Sequence, residues 1–173
     1  MEEKTTLYHV NTHEKIDNLL QSENLIISKH EADRKYAGYG MYFWDNRGNA
    51  KYWFNQKLRY EKKSNLSLLI VSVSYNSDEL LDLMDLEQEQ LYMEIIQKMK
   101  DSGQFKSKYL GDKIDFLCKL LNCKIVRVNA NYPGTPATGL LTGSFVTNKN
   151  KVIYCIKESH YDIIKSKHKE VFS

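Results

Sequence analysis

Proline is nearly missing from this chain: two residues among 173, Pro133 and Pro136, both in one short stretch. Glycine is also sparse, at eight. So few chain breakers predict well-connected elements in one domain, and no repeat, low-complexity tract or linker interrupts them. No stretch approaches the ~18 apolar residues needed to cross a bilayer, so no membrane association is expected. The first residues, MEEKTTLYHV, are acidic and lack the apolar run of a signal peptide. The three cysteines, Cys118, Cys123 and Cys155, are odd in number and sit in apolar surroundings. They read as free thiols of a reducing compartment, which makes cytoplasm the expected location. Neither they nor the five histidines fall at metal-ligand spacings, so no metal is expected. A Walker loop, a Gly-rich dinucleotide fingerprint, HExxH and GxSxG are all absent, which sets aside the enzyme classes those motifs define.

What is present is ordinary for a globular chain: 42% hydrophobic and 27% charged residues, enough to bury a core. The net charge of +3 is spread over clusters, Lys57, Arg59, Lys62 and Lys63, then Lys165, Lys167, His168 and Lys169. These read as solvated helix faces rather than as a phosphate-tracking stripe. A plain nucleic-acid binder would rest on that mild charge alone.

The apolar pattern predicts strands at Thr6–Val10, Leu25–Ser28, Met41–Trp44, Leu66–Tyr75, Leu80–Leu83 and Lys124–Val128, with a hairpin of Ser144–Thr147 and Val152–Lys157. Helices are predicted over Thr12–Gln21 (with Asn11 as cap and Glu14 completing a capping box), from Asp45 or Asn46 to about Glu61, over Leu86–Ser102 and over Asp112–Asn122. Leu91, Ile95 and Met99 form the expected inner stripe of the third helix, and the tail from Ser159 is read as a last helix. Strands and helices intermix without regular βαβ alternation. The fold class is therefore α+β, a single domain with a mainly antiparallel sheet and flanking helices.

Two segments are more specific than the rest. Leu7-Tyr8-His9-Val10-Asn11-Thr12 is a strand running into a helix, and it carries a histidine. Gly38-Tyr39-Gly40-Met41-Tyr42-Phe43-Trp44 is followed by Asn49-Ala50 and Trp53 on the next helix. This pair resembles the opening half of the ADP-ribosyltransferase superfamily, in the diphtheria-toxin-like branch that uses a histidine and a tyrosine. It is most similar to compact bacterial and phage relatives whose second motif reads G-x-Y-F-W. Leu80-Leu81-Asp82-Leu83 resembles their L-D-L stretch, and Gly143–Lys157 their closing Gly-Ser strand and the strand after it.

The resemblance implies a split sheet, NAD as co-substrate and a macromolecular acceptor, protein or nucleic acid. In small bacterial chains it implies a toxin, a phage-defence effector or a counter-defence protein, with an antitoxin or immunity partner. Breaking the nicotinamide–ribose bond passes through an oxocarbenium-like state, as glycoside hydrolysis does. By resemblance His9 would bond a ribose hydroxyl, with Val10 and Thr12 beside it. Tyr42 would stack on nicotinamide, next to Phe43, and Gly40 would let the backbone approach. The superfamily's late glutamate would fall near Thr135–Gly139, where this chain has Thr-Pro-Ala-Thr-Gly. Glu158 is the nearest acid and the candidate third catalytic group. The chain's departure there leaves a second expectation open, a degenerate fold that binds a nucleotide or a partner without turnover. Each residue also has a plainer reading. His9 fits a core histidine bonded to a carbonyl, Tyr42 and Phe43 fit ordinary sheet aromatics, and Glu158 fits an acid at a helix start.

Overall fold

The strongest organising element is Leu66–Asn76, an eleven-residue strand whose side chains are buried on both faces. In chain order it is β3, after β1 (Glu2–Thr12), α1 (His13–Gln21), β2 (Met41–Trp44) and α2 (Arg47–Tyr60). Then come β4 (Leu80–Asp82), α3 (Leu86–Asp101), α4 (Leu110–Leu121), β5 (Ile125–Asn131), β6 (Asn150–Ile156) and β7 (Ile164–Glu170). This computed structural model describes residues 1–62 and 65–172, so Lys63 of the first basic cluster lies outside the described residues. Its four α-helices and seven-stranded sheet make one α+β domain.

The sheet runs β4-β5-β6-β2-β1-β3-β7 and is antiparallel except for β4 with β5. Its two faces hold two cores, as the period-two alternation of strands requires. Val10, Leu68, Ile70, Val126, Val128, Ile153 and Cys155 pack with Ala50 of α2, Tyr92 and Ile96 of α3, and Ile114 and Leu117 of α4. Leu7, Met41, Phe43, Leu69, Val71, Val73, Tyr154 and Ile156 pack on the other face with Ile16 and Leu19 of α1.

Strands β1 and β3 are paired along their whole length, from Glu2↔Asn76 to Thr12↔Leu66. By contrast, β1 meets β2 at one register position only, Tyr8↔Trp44. The sheet is thus seven strands held together in its middle by a one-pair joint.

Several local expectations are corrected. The tail is not a helix beyond a single 3₁₀ turn at Tyr161–Ile163. It becomes β7, which covers the free edge of β3. Its lysines, Lys165, Lys167 and Lys169, alternate at the strand period, and charge at a sheet edge opposes further pairing. Ser144–Thr147 forms no strand. The Ser144 hydroxyl donates to the Leu141 carbonyl and accepts from Val146 N–H, an alternative to ladder pairing. Strand β6 pairs instead with β5 and β2. From Leu25–Ser28 only Ser28 makes a bridge, to Gly40. The buried stripe of α3 is Tyr92 and Ile96, while Leu91 is exposed, because α3 presents the adjacent turn positions to the sheet. Asn46 caps α2 as expected, accepting from Asn49 N–H. The cap position of α1 is Thr12, without a side-chain bond.

Candidate functional site

The joint between β1 and β2 brings the two motif segments together. Beyond Tyr8↔Trp44 the strands part, and the β1-facing edge of β2 is completed by other groups. At Tyr42 the His9 ring takes the place of a main-chain partner: its Nδ1 lies 2.6 Å from the Tyr42 carbonyl oxygen. At Gly40 the main chain of Ser28 pairs, with Ser28 N–H donating at 2.8 Å. The sheet is thus closed at the fork by an imidazole.

A carbonyl can only accept, so Nδ1 carries the proton and donates to it. The other ring nitrogen, Nε2, lies 3.2 Å from the Asn11 side-chain amide and accepts from it. Burial lowers the His9 pKa to about 4, with the nearby Lys57 and Lys15 acting the same way, so the ring is neutral near pH 7. Its face is tilted against Phe43, with ring centroids 5.6 Å apart.

The Tyr42 ring belongs to the opposite face, packed against the core of α2, α3 and α4. Its hydroxyl donates to the Gly38 carbonyl, and burial pushes its pKa up. The structure therefore brings His9 to the main chain of Tyr42 and not to its ring. Gly40 does lie at a close approach, but the neighbour is β6: a Cβ there would overlap Cys155 Sγ and the Ile156 carbonyl.

Behind this segment is a buried polar cluster that the sequence reading missed. Lys157 Nζ donates to the Ala37 carbonyl, to the Tyr39 carbonyl at 3.0 Å and to Asp115 Oδ1 at 2.7 Å. Asp115 in turn accepts from Tyr39 N–H at 3.1 Å. Helix α4 and the end of β6 thereby pin Ala37–Gly40. Cys155 beside them is fully buried and its thiol is raised to about 11, so it stays protonated.

The remaining expected site residues are dispersed. Val10 and Phe43 are core residues, 3% and 1% exposed, which leaves their side chains no room to touch a ligand. Thr12 is half-buried at the start of α1. Glu158 lies beyond the end of β6, exposed and ion-paired with Lys29 at 3.0 Å. Asn11, read from the sequence as a helix cap, is the residue that orients His9. Its spacing two positions along a strand placed it on the same face, and that was the available signal.

Among the described residues no group of three or more His, Cys, Asp or Glu side chains is arranged to hold a metal ion. Among them, too, no helix is long and apolar enough to cross a membrane. Comparisons with protein-family models, curated proteins and solved structures find no match to this chain.

Proposed function

We propose that the chain is an ADP-ribosyltransferase-like protein that binds NAD at the β1–β2 fork and transfers ADP-ribose to a macromolecular acceptor, protein or nucleic acid. The supporting observation is the state of His9. With Nδ1–H held by the Tyr42 carbonyl, its Nε2 is an acceptor, met among the described residues by the 3.2 Å contact from the Asn11 amide. A ribose hydroxyl is a donor that such a nitrogen accepts, and Asn11 is a short move from yielding it. His9 and Thr12 fit the ribose part of NAD. Tyr42 fits a stacking role only if its ring leaves the Gly38 carbonyl. A toxin, phage-defence or counter-defence role, an antitoxin or immunity partner and a cytoplasmic setting belong to this same reading.

A second reading is favoured by Glu158. Its carboxylate is turned to solvent and neutralised by Lys29, so it holds nothing at the fork. On that reading the chain keeps the arrangement as a nucleotide- or partner-binding module without turnover.

One experiment separates them: NAD binding and consumption by the purified protein, with and without cell lysate, for wild type, His9→Ala, Tyr42→Ala and Glu158→Gln. Turnover or labelled lysate products lost in the first two variants support transfer, and loss in Glu158→Gln as well makes it the third group. Binding without turnover supports the module. A result of neither binding nor turnover removes transfer and the nucleotide-binding form of the module, and leaves the resemblance as one of fold alone.

A further inference from the structure

A second site lies at the other end of β2, and it does not depend on the reading of the fork. A cleft of about 620 Å³ opens between the first turns of α2 and the segments around Thr135 and Asn148–Val152. In its wall sits Lys151, only 4% exposed. The Lys151 ammonium donates to Asn49 Oδ1 and to the Asn148 carbonyl, both at 3.2 Å, and lies 4.6 Å from the centre of the Tyr52 ring. All three neighbours line the cleft.

We propose that this cleft binds a phosphate group, with Lys151 as its central cation.

A buried charge costs free energy unless an opposite charge or enough hydrogen bonds compensate it. Lys151 has two neutral acceptors and an aromatic face for three N–H groups, and among the described residues no carboxylate lies within ion-pair distance of it. Burial accordingly lowers its pKa, an effect opposed by Asp45, which also lines the cleft. Asp45 is itself occupied, accepting from Asn46 Nδ2 at 3.0 Å and Asn49 Nδ2 at 2.8 Å. The cleft is also lined by Gly48 and Asn49 of the first turn of α2, a fourteen-residue helix whose positive end favours an anion. Lys51 stands exposed on the rim of the same cleft and adds a second cation. A phosphate supplies the missing negative charge and several acceptor oxygens at once.

Phosphate of this kind comes from a free nucleotide or from a nucleic-acid backbone, and the test distinguishes them. Inorganic phosphate, ADP and a short single-stranded oligonucleotide are titrated into the intact protein by calorimetry and by amide NMR. Saturable binding that shifts the Asn49 and Tyr52 amides is expected, about tenfold weaker in Lys151→Met, the loss of one charge-assisted hydrogen bond. Unchanged phosphate binding in His9→Ala keeps this site separate from the fork. If Lys151→Met does not fold, phosphate should still protect Lys151 of the wild type from acetic anhydride and should bind more weakly to Lys51→Glu. Tightest binding of ADP assigns the site to a nucleotide. Tightest binding of the oligonucleotide, with steep salt dependence, assigns it to a backbone. No saturable binding, equal binding in wild type and Lys151→Met, or no protection of Lys151 overturns the proposal.

Discussion

The imidazole of His9 donates through Nδ1 to the carbonyl oxygen of Tyr42, 2.6 Å away, and so closes the sheet where β1 and β2 part. A protonated ring would leave Nε2 facing the Asn11 amide donor, and its charge would be buried. The bond therefore holds one protonation state.

Acid should loosen this joint. The His9 pKa is about 4 in the folded chain, against about 6.5 when unfolded. The unfolded chain thus binds the proton first. The contribution is complete above about pH 6.5 and is lost as pH falls through that value toward 4, up to about 3 kcal/mol. Urea unfolding at pH 7 and pH 4.5 measures it. His9→Gln should lose distinctly less stability over that interval than wild type.

Two glycines with the same backbone angle should respond differently to alanine. Gly38 and Gly103 both have φ +75°. A Cβ on Gly38 would overlap the Asp115 carboxylate, whereas one on Gly103 meets nothing within 4 Å. Gly103→Ala should cost only the left-handed strain, about 1 kcal/mol. Gly38→Ala should cost clearly more, and equal midpoints in urea would contradict the packing described here.

Removing one member of the Lys157–Asp115 pair should be costly. Asp115→Ala leaves Lys157, 7% exposed, with neutral acceptors only, and should destabilise by about 3 kcal/mol. Combining it with Lys157→Met should recover part of that loss. A double-mutant cycle by chemical denaturation reads the coupling directly.

The tail should matter through a single amine. Lys167 Nζ donates to the carbonyls of Leu19 at 2.8 Å and Ser22 at 2.7 Å, at the C-terminal end of α1. A cation there satisfies orphan carbonyls and opposes the negative end of the helix. Lys167→Met should cost about 1 kcal/mol. A change confined to α1 amide exchange would locate the loss.

Much of the architecture was legible in local pattern. The alternation of Leu66–Tyr75 marked β3, Asn46 before Asn49-Ala50 marked the start of α2, and the apolar runs of Asp112–Asn122 marked α4. Where local signals conflicted, pairing decided. Ile163 and Ile164 satisfy a helical spacing in sequence, yet the unpaired edge of β3 captures the segment as β7. Asn11 matches a capping box in sequence, yet its amide turns to His9 once the strand continues to Thr12.

The sequence by itself determined the fold class, the two motif strands and which residues are apolar enough to build two cores, because period and capping act within a few residues. Only the tertiary structure decided which polar groups meet. His9 and Tyr42 are 33 positions apart, Asp115 and Lys157 are 42, and Asn49 and Lys151 are 102. Those separations carry no local signal. Strand register and the packing of α2 and α4 on the sheet bring the groups within bonding distance, and burial then sets their charge.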